Sequence, residues 1–288
     1  MSQPDIVDDF RPLSASALWR MLAPMRAWHR PWFAGLEQID PQRPALLVGN
    51  HTVYGGLDAP HMVAQIYRDR GVLVRSLGDR VHFAIPGHRD VLTKLGVVIG
   101  TRENCSRLMK AGQHVLVFPG GGREVAKRKG EAYRLIWKER TGFVRMAIEH
   151  GYPIIPFACV GPEECYDLLF DADDLVASPL GRLLRRTGLL DRFFRGGDSF
   201  APLARGLGLT VIPRPERFYF SFGAPIATRP YAKRLDDGEV LMAVRAKVRR
   251  EVESHIRVLF DVRDRDPRRD LLASLVSRSE GGKARAVR

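Results

Sequence analysis

Between residues 45 and 160, short apolar runs alternate with longer segments whose apolar residues recur at helical spacing. A succession of strands and helices leaves the strands mainly parallel and places the helices on the faces of the sheet. The pattern therefore predicts an α/β fold with a mixed, mainly parallel sheet flanked by helices. The predicted strands are Ala45–Val48, Gly71–Arg75, Val97–Ile99, His114–Phe118, Ile154–Val160 and Phe218–Phe222. The predicted helices are Asp58–Arg70, 85–95, Glu103–Lys110, Gly142–His150 and Glu239–Leu259.

The flanking regions differ in composition from this core. Residues 1–33 form an N-terminal arm, in which 14–33 combine aromatic residues and arginines at helical spacing. This helix lies either in a membrane interface or on the protein's own core, and Pro24 weakens both versions. Residues 34–260 form one domain, and residues 261–288 are predicted to be a basic, disordered tail.

Residues 162–210 interrupt the alternation, since many leucines and phenylalanines stand there among arginines without a clear strand. We expect a helical insertion. Three interpretations stay open: a lid over an apolar tunnel, a patch that contacts a membrane, or a helical cover on one edge of the sheet.

The formal net charge of +13 favours a polyanionic partner, which is a nucleic acid, an anionic bilayer or a phosphate-bearing substrate. Three widely spaced cysteines suit a reducing compartment, and no apolar stretch is long enough to predict a transmembrane helix. We therefore expect a cytoplasmic protein that associates peripherally with the inner face of a membrane. No cluster of histidines and cysteines has the spacing of a zinc site, so no metal is predicted.

His51 directly follows a predicted strand, at the edge of the sheet where α/β proteins bind ligands. A neutral imidazole there is suited to take a proton from an attacking alcohol, and Asp58 is suited to orient the ring. Two plainer interpretations remain open. His51 is then a loop residue bonded to backbone, and Asp58 is only the cap of the following helix.

A second segment, Phe118–Glu124, also follows a strand and contains Gly120, Gly121 and Gly122. Consecutive glycines allow a sharp turn whose N–H groups bind an oxyanion or a phosphate. Arg123 adds a fixed positive charge. The alternative is a tight strand-to-helix turn in which Arg123 forms an ion pair with a nearby carboxylate.

Together these segments resemble the conserved blocks of the phospholipid/glycerol acyltransferase superfamily, whose members are similar to lysophosphatidate acyltransferases. The similar segments are Asn50-His51 with Asp58 (a His-x4-Asp block), Gly100-Thr101-Arg102, Phe118–Arg123 (a Phe-Pro-Glu-Gly-Thr-Arg block) and Ile155-Pro156-Phe157.

Two departures from these blocks point to a branch of the superfamily. Six residues rather than four separate His51 from Asp58, and Gly120 stands where the third block has glutamate. The sequence from 114 to 161 is most similar to phytyl ester synthases and to diacylglycerol acyltransferase-like proteins that make neutral lipids. Their acceptors carry no phosphate.

The resemblance implies an O-acyltransferase that moves a fatty acyl group from acyl-CoA, or from acyl carrier protein, to a lipid hydroxyl such as that of diacylglycerol or a long-chain alcohol. It implies a membrane surface as partner, no nucleic acid and no cofactor besides the donor. The catalytic residues would be His51 and Asp58, and the substrate-binding residues Asn50, Arg102, Gly120, Gly121, Gly122, Arg123 and Glu124. The alternatives are a lysophosphatidate or glycerol-phosphate acyltransferase, and an inactive protein that binds membranes or nucleic acid.

Overall fold

A computed structural model describes Val7, residues 10–84 and residues 87–269. Within these residues a seven-stranded sheet contains β1 (Trp32–Ala34), β2 (Leu46–Gly49), β3 (Arg75–Gly78), β4 (Val98–Ile99), β5 (Val115–Val117), β6 (Ile154–Val160) and β9 (Tyr219–Phe222). A separate ribbon pairs β7 (Asp167–Phe170) with β8 (Leu203–Arg205). The order in the sheet is β1-β9-β6-β2-β5-β3-β4, and only the β6–β9 pairing is antiparallel. The predicted mixed, mainly parallel sheet is confirmed.

The helices surround this sheet on both faces. They are α1 (Ala15–Met21), α2 (Ala23–His29), α3 (Asp58–Arg70), α4 (Arg80–Phe83), α5 (His88–Lys94), α6 (Arg102–Lys110), α7 (Gly121–Val125), α8 (Gly142–Glu149), α9 (Ala172–Ala177), α10 (Pro179–Arg186), α11 (Leu189–Phe194) and α12 (Gly238–Asp264). In the part of the chain that the structure describes, no helix is both long enough and apolar enough to cross a bilayer.

The central strand β2 divides the core into two layers, because successive side chains of a strand point to opposite faces. Leu46 and Val48 belong to a cluster that includes residues of α6, α8 and α12. Leu47 belongs to the other cluster, which includes residues of α1 and α3. All three side chains are fully buried. Packing on both faces of the sheet therefore fixes the position of β2 and of the turn that follows it.

The N-terminal arm is two short helices, and the single helix predicted over 14–33 is wrong. The break falls at Leu22, because Pro24 lacks an N–H group and is accommodated in the first turn of α2 rather than inside a longer helix. The end of the predicted helix is instead the edge strand β1.

The arm packs on the protein's own core. Leu18 is 3% exposed, and the Trp19 ring lies between the guanidinium groups of Arg26 and Arg68, at 3.2 and 4.0 Å from its centroid. The Trp28 indole donates a hydrogen bond to the Pro213 carbonyl. These contacts support the core-docked alternative for the arm rather than the interfacial one.

Two further expectations are corrected. The insertion at 162–210 was expected to lack strands, but it begins and ends with the ribbon strands β7 and β8, whose pairing joins segments far apart in sequence. The strand predicted over 71–75 begins only at Arg75, because Gly71 ends α3 with a φ of 69°.

The predicted tail also starts later than residue 261. Helix α12 continues to Asp264, since Leu259 is fully buried and Arg263 forms an ion pair with Glu164. Residues 270–288 of that predicted tail lie outside the described residues.

The two-layer core generates a stability prediction. We expect Leu47→Ala to lower the free energy of unfolding by about 2–5 kcal/mol, because it leaves a cavity in the middle of the sheet. Leu180→Ala is the control, since Leu180 is 58% exposed and its truncation should cost about 0.5 kcal/mol or less. Urea unfolding followed by circular dichroism measures both, and equal losses would contradict the layered core.

Candidate active site

The turn between β2 and α3 brings His51 and Asp58 together. The Nδ1 atom of His51 lies 3.0 Å from Oδ2 of Asp58. The same oxygen accepts the N–H of Thr52 at 3.0 Å, and Oδ1 accepts the N–H of Ala59 at 2.7 Å. The longer spacing in this sequence is therefore compatible with a His–carboxylate pair, because the extra residues form a turn that returns the carboxylate to the ring.

Asp58 is 1% exposed, and its charge is sustained by these donors. Burial alone would raise the pKa of this carboxyl group, but the His51 ring and the N–H groups of Thr52 and Ala59 together hold the pKa below its ordinary value. The carboxylate thus remains ionised beside the imidazole. Such a partner fixes the orientation of the ring and favours a proton on the nitrogen that faces it.

Phe118 and Gly55 form the surroundings of the other ring nitrogen of His51, Nε2. Phe118 stacks on the imidazole, with ring centroids 3.7 Å apart and planes inclined by 6°. A Cβ atom on Gly55 would lie 2.6 Å from Nε2, and the φ of Gly55 is +65°. Only glycine satisfies both constraints. Local sequence patterns alone do not reveal these contacts of Gly55 and Phe118; the Gly55-Gly56 pair between His51 and Asp58 is the signal that points to them.

A cavity of about 330 Å³ opens beside His51. Most of its lining is apolar, and among the described residues that line it there is no lysine or arginine. The lining comprises Leu18, Leu22, His51, Tyr54, Gly55, Gly56, Ala59, Pro60, Val63, Ser76, Leu77, Gly78, Asp79, His82, Val91, Leu92, Leu95, Val97, Phe118, Gly121, Gly122 and Val125. Such a cavity is suited to an extended hydrocarbon chain whose reacting end lies at the imidazole.

The glycine turn after β5 borders the same cavity through Gly121 and Gly122. The N–H of Gly121 donates to the Phe118 carbonyl at 3.0 Å, which closes the turn. The Arg140 guanidinium donates to the carbonyls of Pro119 and Gly120, both at 2.8 Å. These bonds occupy the carbonyl groups of the turn and fix the glycine backbone next to His51.

Arg123 and Asn50, which were predicted to bind substrate, make contacts that stabilise the fold. Arg123 is 8% exposed; its guanidinium bonds both carboxylate oxygens of Glu131 and lies 3.3 Å from Asp198. This placement matches the ion-pair alternative. Asn50 is fully buried, and its side-chain amide donates to the carbonyl of Cys159 and accepts its N–H, which ties the end of β2 to β6. These contacts favour structural roles for both residues, and their binding of substrate stays a prediction.

Arg102 is placed apart from the other predicted site residues. It is exposed at the first position of α6 and does not line the cavity beside His51. The structure therefore does not bring Arg102 together with His51, Asp58 and the glycine turn.

Glu124 has no exposed surface and does not line the cavity, and its role in binding substrate stays a prediction. Its carboxyl group packs against Gly120, where a Cβ atom would lie 2.1 Å from Oε2. Burial raises the pKa of Glu124 to about 8, although Lys127 opposes the shift. Burial likewise raises the pKa of Glu163 to about 7, and Lys127 Nζ lies 3.5 Å from that carboxylate. Glu124, Glu163 and Lys127 thus share one buried region next to the glycine turn.

In the described part of the chain, no three His, Cys, Asp or Glu side chains are grouped so as to hold a metal ion.

Comparisons with known proteins agree on one family. Residues 30–160 match the family model named Acyltransferase. Phytyl ester synthase 2 of Arabidopsis thaliana is 33% identical over 257 residues, which are 86% of this chain and 36% of that protein. A DGAT1/2-independent enzyme synthesizing storage lipids, from Bos taurus, is 33% identical over 129 residues, which are 45% of this chain and 38% of that protein.

A solved structure shows a more distant similarity. The crystal structure of the 1-acyl-sn-glycerophosphate acyltransferase PlsC from Thermotoga maritima has a TM-score of 0.44 at 14% identity, over 83% of this chain and 81% of that one. The chain spans little more than a third of the length of the two relatives named above.

The buried position of Glu124 predicts a specific pH dependence. With a pKa of about 8 in the folded protein and an ordinary value of 4.5, the folded state binds more protons than the unfolded chain between these limits. The contribution of Glu124 to the free energy of unfolding therefore decreases as the pH rises from 5 to about 8. We expect Glu124→Gln to remove this contribution, because the amide is neutral throughout, so that the free energy of unfolding falls less or rises more over this interval than in the wild type. Glu163 retains its own contribution.

Urea unfolding at several pH values across this interval measures the effect. Glu253→Gln is the matched control, since Glu253 lies on the partly exposed surface of α12 and should leave the wild-type dependence unchanged. A Glu124→Gln protein with the wild-type slope would show that Glu124 is ionised in the folded state.

Proposed function

Because this chain belongs to the acyltransferase family, we propose that it moves a fatty acyl group from a thioester to the hydroxyl group of a lipid, which forms an ester. The observation that carries this proposal is the His51–Asp58 pair, 3.0 Å apart, at the edge of an apolar cavity of about 330 Å³.

The first step is attack by the acceptor. With Nδ1 of His51 bonded to Asp58, Nε2 is the nitrogen available to accept the proton of the acceptor hydroxyl. The acceptor oxygen then bonds to the carbonyl carbon of the thioester. Asp58 stabilises the imidazolium that forms, because its carboxylate is already ionised and held by backbone N–H groups.

The second step is collapse of the tetrahedral intermediate. The carbon–sulfur bond breaks, the carbonyl re-forms, and the proton on Nε2 neutralises the departing thiolate. The imidazole is thereby restored for the next cycle. The thioester is an activated donor, so this scheme has no covalent acyl-enzyme.

The lining of the cavity supports an acceptor without a phosphate group. It contains Asp79 but no lysine or arginine among the described residues, and the nearby Arg123 is engaged by Glu131 and Asp198. A phosphate in this cavity would therefore meet no lysine or arginine among these lining residues. The names of the Arabidopsis and Bos taurus relatives, a phytyl ester synthase and an enzyme of storage-lipid synthesis, are in line with a neutral product.

The basic character of the chain supports a polyanionic donor. The net charge of +13 favours association with the phosphates of coenzyme A and with an acidic carrier protein. We propose acyl-CoA as the donor, and acyl carrier protein is the alternative to be assayed beside it.

The catalytic roles give a direct prediction. We expect His51→Ala and Asp58→Asn to lower acyl transfer at least about 100-fold, since one removes the base and the other removes the charge that orients it. The control is His255→Ala, because His255 bonds Ser221 and does not line the cavity. The assay follows a labelled long-chain acyl group in mixed micelles, with circular dichroism to check folding.

The acceptor panel contains diacylglycerol, a long-chain alcohol and lysophosphatidate. We expect product from diacylglycerol and from the long-chain alcohol but not from lysophosphatidate. Both His51→Ala and Asp58→Asn should lose this product. Product from lysophosphatidate only would assign the protein to phospholipid synthesis. Wild-type transfer rates in His51→Ala would refute the proposed mechanism.

The cavity gives a second prediction. We expect Val63→Phe to shift the preference of the enzyme toward shorter acyl donors, because Val63 lines the cavity and is almost fully buried. Val258→Phe is the matched control, since Val258 is 51% exposed on α12. Rates for acyl-CoA of increasing chain length measure the shift; an unchanged profile would show that the acyl chain binds elsewhere.

A further inference from the structure

Exposed apolar side chains are concentrated in one part of the molecule. Of the thirteen large apolar residues with substantial exposure in the described chain, nine lie between residues 169 and 212. They are Leu169, Leu180, Leu183, Leu189, Phe193, Leu203, Leu209, Val211 and Ile212. Scattered single residues of this kind are ordinary, whereas a concentration in one segment marks an interaction surface.

Within this segment, α10 and α11 present apolar residues at helical spacing. Leu180 and Leu183 are both 58% exposed and stand one turn apart. Leu189 and Phe193, 36% and 65% exposed, are spaced likewise on α11. Each helix therefore has an apolar side that remains exposed in the described part of the chain.

Positive charges predominate between residues 179 and 195 of the insertion. Residues 179–195 contain five arginines, all exposed, and one acidic residue, Asp191. The arginines are Arg182, Arg185, Arg186, Arg192 and Arg195. This surface therefore combines apolar side chains with a clear excess of positive charge.

Three acidic residues of the insertion pair with basic residues outside it. Asp173 pairs with Arg128, Asp174 pairs with Lys129, and Asp198 pairs with Lys138. These acidic charges are thus offset, whereas the five arginines between residues 179 and 195 remain exposed.

The loop at 207–212 borders a second cavity, next to the one beside His51. Leu209 and Val211 are 89% and 78% exposed. Val211 and Ala204 line this second cavity, of about 450 Å³, together with Tyr54, Gly56, Leu57 and Tyr166. Tyr54 and Gly56 also line the cavity beside His51, so the two cavities are neighbours.

We propose that the outer surface of the insertion, formed by α10, α11 and the 207–212 loop, docks on an anionic lipid bilayer, and that the lipid acceptor passes from the bilayer through the second cavity to His51. Arginines attract anionic headgroups while leucine and phenylalanine side chains enter the interface. The acceptor route rests on the proposed function; the docking surface does not.

Binding to vesicles tests the docking surface independently of activity. Vesicles of phosphatidylcholine with phosphatidylglycerol, and of phosphatidylcholine alone, are sedimented with the full chain. The test variant is Arg182→Gln/Arg185→Gln/Arg186→Gln on α10. The control is Lys247→Gln/Arg250→Gln/Arg257→Gln, which removes the same charge from exposed positions of α12.

The wild-type protein should bind the anionic vesicles more strongly than the neutral ones. Each arginine near an anionic surface contributes roughly fivefold to affinity, so the test variant should bind about 100-fold more weakly. The control should bind as the wild type. Equal losses in both variants, or no wild-type binding, would overturn the proposal. A dimer that the test variant abolishes would instead assign this surface to a contact between copies.

Activity tests the acceptor route. The variant Leu209→Ser/Ile212→Ser should transfer acyl groups to a short-chain acceptor in solution at the wild-type rate. Its rate of transfer to diacylglycerol in vesicles should fall at least about tenfold. Met242→Ser/Val258→Ser, exposed residues of α12, is the control. An equal effect on both acceptors would overturn the route. No transfer by the wild type to either acceptor would refute the proposed function, while the vesicle-binding result would still decide the docking surface.

Discussion

The buried carboxylate of Asp58 is the interaction on which the site depends. It accepts hydrogen bonds from the His51 ring and from the N–H groups of Thr52 and Ala59, so one side chain fixes the histidine, the turn and the start of α3. A carboxylate at 1% exposure is unfavourable without such partners. Its position therefore requires a turn that directs these donors inward, and the rigid β2 strand holds the beginning of that turn.

Some residues around His51 and Asp58 line the cavity, and others are buried behind it and stabilise the surrounding backbone. Phe118 and Gly55 determine the environment of the imidazole, one by stacking and the other by leaving space at Nε2. Arg123 and Glu124 stand in the same short helix, yet both are buried behind the turn. Their burial is consistent with a supporting role, and the cavity lacks lysine and arginine among its described lining residues.

The ion pairs also relate the site to the insertion. Asp198 lies 3.3 Å from Nε of Arg123, and the Tyr54 hydroxyl donates to the Pro202 carbonyl at 2.7 Å. Asp198 and the Pro202 carbonyl thus attach the insertion beside the candidate site, while the arginines between residues 179 and 195 remain exposed. This arrangement is what a lipid-modifying enzyme needs if its substrate arrives from a bilayer and its chemistry takes place in a cavity.

Local patterns in the sequence were enough to predict the main elements and the residues of the candidate site that follow β2. The strand at Ile154–Val160, the helix at Asp58–Arg70 and the positions of His51 and Asp58 after β2 follow from local apolar spacing and turn chemistry. Tertiary structure alone decided that the N-terminal arm packs on the core, that β7 pairs with β8, and that Arg123 and Glu124 are buried. The physical reason is that periodicity records which side of an element is apolar. Burial of a charge depends on partners such as Glu131 and Lys127, which only the folded chain brings into contact.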